Sequence, residues 1–316
     1  MNGCCGYEME VAMKVIDAHV HLIQCVAGTG SGGELRYCDQ GDGMARYANG
    51  NLVQLLPKEF GDGRVTPEQV LQIMDENDVE KAVLLQGNYY GFQNLYSYDA
   101  MQKYPDRFLA AASYDPFSRD VSGIRKYLFE ELKIPVVKFE VSTGSGLMCN
   151  HEFRLDGEMM EDCYSYAEQQ KQVFVIDIGK CGSESWQVQE LRTAILRHPE
   201  MKFVVCHLLA CSQADRDRLE AGLRLLKLPN VWFDLAAVTH NCRPDSFPYP
   251  KSLEFLQVAK NIVGADRLMF GTDLPSALKR DTYKHYIEMI TEADMLTARE
   301  KECILHDTAE EVFFRR

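Results

Sequence analysis

The stretch V-I-D-A-H-V-H-L, Val15 to Leu22, begins apolar and then sets His19 and His21 two residues apart. Side chains of a strand alternate between its faces, so positions i and i+2 point the same way. Two imidazoles on one face at the end of a buried strand can hold one metal ion or jointly polarise one carbonyl. They can equally be two histidines of a half-buried strand. The sequence holds only eight His in 316 residues, so the decision rests on what else the chain brings to that place.

Moving outward, the rhythm becomes regular from Thr66. Thr66-Pro67-Glu68-Gln69 reads as a capping box with Pro at the first helical position, opening a helix to about Asn77. Short apolar runs follow at Lys81–Gln86, Phe108–Ser113, Pro135–Val141, Val173–Ile178, Met201–Cys206, Val231–Ala236 and Arg267–Gly271. Amphipathic helical stretches lie between them, one capped from Ser118 and one from Asp156, and further helices from Thr282 to Phe314 close the chain. The charged run Gln213–Leu226 reads as a solvated outer helix. Near-continuous apolar strands mean a sheet covered on both faces, hence parallel. With the strand at Val15 they number eight, which predicts an α/β fold of the (β/α)8 barrel type, an open sheet being the alternative. No linker or composition break divides residues 1–316, so one domain is expected.

One segment breaks the pattern. Between about residues 25 and 65 stand A-G-T-G-S-G-G (Ala27–Gly33), G-D-G (Gly41–Gly43) and N-G-N (Asn49–Asn51). So many glycines predict an insertion without regular structure, a lid or substrate-covering loop. A phosphate cradle would need a following G-K-[ST], which is absent.

Composition bounds the partners. Lys and Arg number 34 against 47 Asp and Glu, a formal charge of −13, which argues against nucleic acid or an anionic membrane surface. A local Arg or Lys pocket can still hide inside that acidic total. Eleven Cys, including the adjacent Cys4 and Cys5, show no CxxC or zinc-ribbon spacing and suit a reducing compartment. Glu8 and Glu10 with no apolar run predict no signal peptide, and no stretch reaches a transmembrane length. The expectation is a cytoplasmic protein acting on a small molecule.

In barrels of this type the chemistry sits at the C-terminal ends of the strands. Those positions carry His19 and His21, then Tyr89 and Tyr90 after the second strand, Lys138 and Glu140, Asp177, His207, Asp234 and Asp273. A purely structural barrel would place branched apolar residues there. Three imidazoles and the aspartates Asp177, Asp234 and Asp273 at one mouth are costly to desolvate unless they bind something. His19, His21, Asp177 and Asp273 would offer one divalent ion, Zn²⁺ or Mn²⁺, two nitrogens and two oxygens. Without an ion, the three histidines would polarise a carbonyl and Asp273 would act as base on free water. Asp234 reads as orienting a loop, and Cys206, on the face opposite His207, as core. Lys138 can pair with Glu140 or Asp177. His240 and Arg243, in T-H-N-C-R-P, sit where a loop could reach an anionic substrate group. One of the two tyrosines should line the pocket.

H-x-H at the first strand, K-F-E at the fourth, C-H-L-L after the sixth and F-G-T-D-L-P at the eighth together resemble the amidohydrolase superfamily. The likeness is to its branch of lactonases, hydrolases and nonoxidative decarboxylases. L-L-Q-G-N-Y-Y-G-F-Q-N (Leu84–Asn94) with Y-P-D-R-F is similar to its sugar-lactone and pyrone-dicarboxylate lactonase members, and I-L-H-D-T-A-E-E-V-F to its closing helix. The resemblance implies His19 and His21 as ligands of a metal or a carbonyl, and His207 as ligand or polariser. It implies Asp273 as the acceptor of water's proton, and Lys138 as a carbamylated ligand or a binder of substrate carboxylate. Zinc-dependent members carry a histidine near the end of strand five; this chain has Asp177 there, as the metal-free pyrone-dicarboxylate lactonases also lack it. The expected activity is hydrolysis of a small lactone, ester or amide. A decarboxylase of a small unsaturated or aromatic acid, and a ligand-binding barrel without turnover, are the alternatives. Family members often assemble, so a homo-oligomer is open.

Overall fold

The apolar runs do form strands, and they do so in register. In a computed structural model that describes residues 13–39 and 41–315, β1 (Val15–Val20) is followed by four strands of the insertion, β2 (Gly28–Gly30), β3 (Gly33–Tyr37), β4 (Met44–Tyr47) and β5 (Leu52–Gln54). Seven more complete the chain: β6 (Val79–Leu84), β7 (Phe108–Ala112), β8 (Val136–Glu140), β9 (Val173–Asp177), β10 (Lys202–Val205), β11 (Val231–Asp234) and β12 (Leu268–Met269). Residues Cys4, Cys5, Glu8 and Glu10 lie outside the described part. Among the described residues no helix is long and apolar enough to cross a membrane.

β1 and β6 to β12 stand side by side in chain order, all parallel, with helices between them. The seam between last and first closes through backbone bonds, Ala18 N–H to Phe270 O (3.0 Å), Asp273 N–H to His19 O (2.9 Å) and His21 N–H to Leu274 O (2.8 Å). This is the (β/α)8 barrel. Period-two alternation then decides what faces the axis. Ile16, Val83, Val136, Val175, Val204, Trp232 and Met269 make one interior cluster, floored by Val312 and Phe313 from the C-terminal turns. Each such side chain leaving water contributes roughly 1.5–3 kcal/mol. Two residues further along the same faces stand Lys138, Asp177, Cys206 and Asp234, so the apolar floor gives way to a polar mouth.

The insertion departs from the sequence expectation. It is no irregular loop: β2 to β5 form a four-stranded antiparallel sheet, burying Leu35 and Ala45 on one face. Its glycines serve reversals and close approach. Gly33 and Gly50 have φ of +89° and +90° at hairpin turns, and a Cβ at Gly28 would run into the carbonyl of Tyr89. β2 lies flat on the barrel loops, Ala27 N–H donating to Tyr90 O (3.0 Å), Thr29 N–H to Asn88 O (2.9 Å) and Ser31 N–H to Gly144 O (2.8 Å). Two caps also differ. The Thr66 capping box forms as expected, but Asp120, not Ser118, caps the helix Val121–Arg125, and Gly157 precedes the helix Glu158–Gln169 while Asp156 pairs with Arg154 at 2.9 Å.

Candidate active site

The barrel mouth opens into a cavity of about 620 Å³ walled by His19, His21, His207 and Asp273 together with Lys138, Glu140 and Asp177. Each imidazole is oriented from behind. His19 Nδ1 lies 3.0 Å from Asp234 Oδ2, His21 Nδ1 3.1 Å from the Leu85 carbonyl and His207 Nδ1 3.0 Å from the Ala236 carbonyl. Carbonyl and carboxylate oxygens only accept, so each Nδ1 carries the proton and each Nε2 turns to the cavity. Asp234 does double duty, its Oδ1 accepting the backbone N–H of His207 (2.8 Å) and of Ala236 (3.1 Å). One buried carboxylate thus ties the first strand to the turns after the sixth and seventh.

A second buried carboxylate sets the other edge. Asp17 accepts from His19 N–H (3.0 Å), Thr272 N–H (3.0 Å), the Thr272 hydroxyl (2.6 Å) and the Tyr283 hydroxyl (2.6 Å). Burial pushes Asp17 up to about 6 against the pull of these donors. The knot locks the histidine strand to the segment carrying Asp273. The backbone around that mouth is bent to suit: Asp273 has φ +65°, and His207, Leu208, Leu209 and Ala210 run consecutively at +60°, +47°, +65° and +48°.

Three acceptors then converge. His19 Nε2 is 3.2 Å from His21 Nε2, which is 3.2 Å from Asp273 Oδ1, and His19 Nε2 is 3.8 Å from that oxygen. Burial holds His19 at about 4 despite the Asp234 carboxylate, so its Nε2 keeps a free lone pair. Burial would raise Asp273, but His21, His19 and His207 outweigh it and hold the carboxyl well below the usual range. The fourth member of the expected ligand set lies elsewhere. Asp177 faces His207, Oδ2 to Nε2 3.5 Å. Burial would depress His207, but Asp177 above all, then Asp234 and Asp273, raise it to about 10. His207 is therefore an imidazolium with an N–H toward the cavity.

The remaining expected residues divide. Tyr89 and Tyr90 both line the cavity, Tyr90 with its ring centroid 5.2 Å from that of His21. Glu140 is taken up by its own loop: Ser145 and Ser142 (3.3 Å) hydroxyls donate to Oε1 and Tyr89 N–H to Oε2 (3.4 Å). Lys138 is fully buried; burial would lower it, but Glu140 first, with Asp177 and Asp273 behind, keeps its ammonium charged. His240 lines the cavity, whereas Arg243 turns to an outer groove and buttresses it, donating to the His240 carbonyl (2.9 Å) and Nε2 (3.2 Å). Arg243 is thus not on the cavity wall. Cys206 is buried beneath His19 and Asp234. Sequence reasoning missed Lys279 and Arg280, which also wall the cavity. The signal was available: they follow Asp273 by six and seven residues, on the loop leaving the eighth strand.

Comparison with known proteins agrees with this fold. A probable 2-pyrone-4,6-dicarboxylic acid hydrolase from Acinetobacter baumannii, solved with citric acid bound, superposes with a TM-score of 0.66 at 18% identity, over 95% of this chain and 99% of that one. An amidohydrolase from Burkholderia multivorans with bound zinc gives 0.69 at 16% identity, over 95% and 99%. A 2,6-dihydroxybenzoate decarboxylase gives 0.53 at 15% identity, over 79% and 89%. At these identities the likeness is one of fold. No curated protein sequence matches the chain. The profile of the amidohydrolase family matches residues 16–315, nearly the whole chain, and the protein belongs to that family.

Proposed function

We propose that this protein hydrolyses a small carboxylic ester, most aptly a lactone, at a mononuclear divalent metal centre. One observation carries the reading: the spacing of His19 Nε2, His21 Nε2 and Asp273 Oδ1. A tetrahedral ion with bonds of about 2.0–2.1 Å keeps its ligand atoms about 3.3 Å apart, and the separations here are 3.2, 3.2 and 3.8 Å. Two imidazole lone pairs and a carboxylate oxygen so close repel unless a cation or a proton lies among them. Zn²⁺ or Mn²⁺ suits that nitrogen and oxygen set. Such an ion, when bound, lowers the pKa of an attacking water toward about 7 and polarises an ester carbonyl.

The chain's own residues supply the rest. Asp273 accepts the proton that water loses as its oxygen bonds to the carbonyl carbon. The His207 imidazolium, held by Asp177, donates its N–H to the oxyanion that forms. As the ring C–O bond breaks, the proton on Asp273 passes to the leaving alkoxide, and water plus lactone yields one hydroxy acid. Tyr90 and the buried Lys138 narrow and charge the walls around the reacting carbonyl. The fold shared with a probable hydrolase of a pyrone dicarboxylate, itself a cyclic ester, supports the choice of lactone.

The test is a panel of lactones and of unsaturated and aromatic carboxylic acids, followed for proton release and for CO2. Lactone turnover that falls about 10²–10⁴-fold in kcat/KM in Asp273→Asn is expected. CO2 release with no lactone opened would move the protein to the decarboxylases of this fold, and an unchanged rate in Asp273→Asn would remove that residue from the chemistry.

A further inference from the structure

The same cavity has a second, oppositely charged pole. Lys279 and Arg280 are adjacent on the short turn that follows Asp273, and both face the cavity. Among the described residues neither is ion-paired with a carboxylate. Lys279 Nζ donates to two neutral acceptors at the edge of the insertion, the carbonyls of Gln54 (3.1 Å) and Leu55 (3.2 Å), which fix its position without cancelling its charge. The Arg280 side chain has no hydrogen-bond partner in the protein among the described residues. Burial and then the Arg280 guanidinium lower the affinity of Lys279 for its proton, and burial lowers that of Arg280. Two like charges placed together on a cavity wall cost Coulomb energy that a bound anion relieves. In a chain of formal charge −13, where a surface Lys or Arg has abundant acidic neighbours to pair with, their remaining unpaired points to a ligand.

We propose that Lys279 and Arg280 form a carboxylate subsite, so that the substrate is an acid-bearing lactone: its ester carbonyl at the His19–His21–Asp273 pole, its carboxylate at the Lys279–Arg280 pole. This rests on the hydrolytic reading above and adds the substrate class to it. The planar fork of Arg280 matches a carboxylate bidentately, and Lys279 adds a point charge beside it. A cavity of about 620 Å³ falls within the range of roughly 300–1,000 Å³ of small-molecule sites. The insertion acquires a purpose: its edge carbonyls hold Lys279 at the wall.

The test is calorimetric titration of the protein as purified with glutarate, with its neutral isostere glutaramide and with inorganic phosphate. Glutarate should bind at least about tenfold more tightly than glutaramide, and Arg280→Gln should remove about tenfold of that affinity, as expected for a charge-assisted pair. Arg280→Lys should retain part of it, and Arg216→Gln, on an outer helix, all of it. Circular dichroism checks that Arg280→Gln folds; should it not, the comparison of Arg280→Lys with wild type carries the test. Glutarate binding within about twofold of wild type in a folded Arg280 variant overturns the subsite. Phosphate binding more tightly than glutarate overturns the carboxylate assignment. Because binding is read without turnover, a protein that binds glutarate through Arg280 but opens no lactone refutes the hydrolytic reading and leaves the subsite standing. Lactone turnover with no dependence of glutarate binding on Arg280 does the reverse.

Discussion

Lys279 is the residue whose charge state should be visible in kinetics. Burial first, then the Arg280 guanidinium, push it down to about 8, against the pull of Asp273. His240, on the same wall, also feels its charge, after burial and the Arg280 and Arg243 guanidiniums. The ammonium is present below that value and lost above it. For an acid-bearing lactone, KM should therefore rise as pH passes through about 8, with kcat at saturation little changed, and Lys279→Gln should flatten that limb. A KM indifferent to pH between about 7 and 9 in the wild type would contradict it. Residues of this kind escaped the sequence, while His19, His21, His207 and Asp273 did not, for a physical reason. Imidazoles and carboxylates ending apolar strands violate the polarity their position demands, and the violation is visible in one dimension. A lysine and an arginine in a loop violate nothing; only folding shows that they face a cavity rather than water. Asp177 was visible, but not its place beside His207, because strand position fixes which mouth a side chain joins and not which neighbour it meets. The left-handed run His207 to Ala210 was equally hidden. Such backbone costs about 1–2 kcal/mol per non-glycine residue and is held here by the bond from His207 N–H to Asp234.

At the scale of elements, the insertion carries the sharpest lesson. Its glycine content reads as absence of structure, yet alternation in Leu35, Ala45 and Val53, interrupted by N-G and G-D-G, is a hairpin pattern. Glycine count misled because two different demands, positive φ at turns and close approach at a docking seam, draw on the same residue. The seam is testable. Gly28→Ala puts a methyl against the Tyr89 carbonyl, and overpacking of this kind costs about 1–3 kcal/mol. The expected result is a lower melting temperature and faster hydrogen exchange at the Thr29 amide, which bonds to Asn88 O at 2.9 Å. Unchanged protection at Thr29 would mean that β2 does not depend on that contact. The barrel strands, in contrast, were legible to within two or three residues, since β-branched runs between helical stretches have little else to become.

For the molecule as a whole, a metal centre joining β1 to the segment after β12 would make stability depend on the ion. An ion that binds only the folded state, at about 100 times its dissociation constant, adds about 2.7 kcal/mol. Treatment with a chelator should lower the melting temperature by several degrees, and Zn²⁺ or Mn²⁺ should restore it; a melting curve untouched by both would count against the centre. The Asp17 knot and the three seam hydrogen bonds hold the same two segments together without the ion, so the chelated protein should remain folded.

The donor set also has an order in time. His19 and His21 come from the first strand and Asp273 from the loop after the last, 252 positions beyond His21. During synthesis the N-terminal pair therefore emerges from the ribosome long before the carboxylate that completes it. Until then two imidazoles stand at an open sheet edge with no third ligand. On the proposed reading, a fragment made before Asp273 would lack the third donor, so neither tight ion binding nor turnover would precede synthesis of that residue.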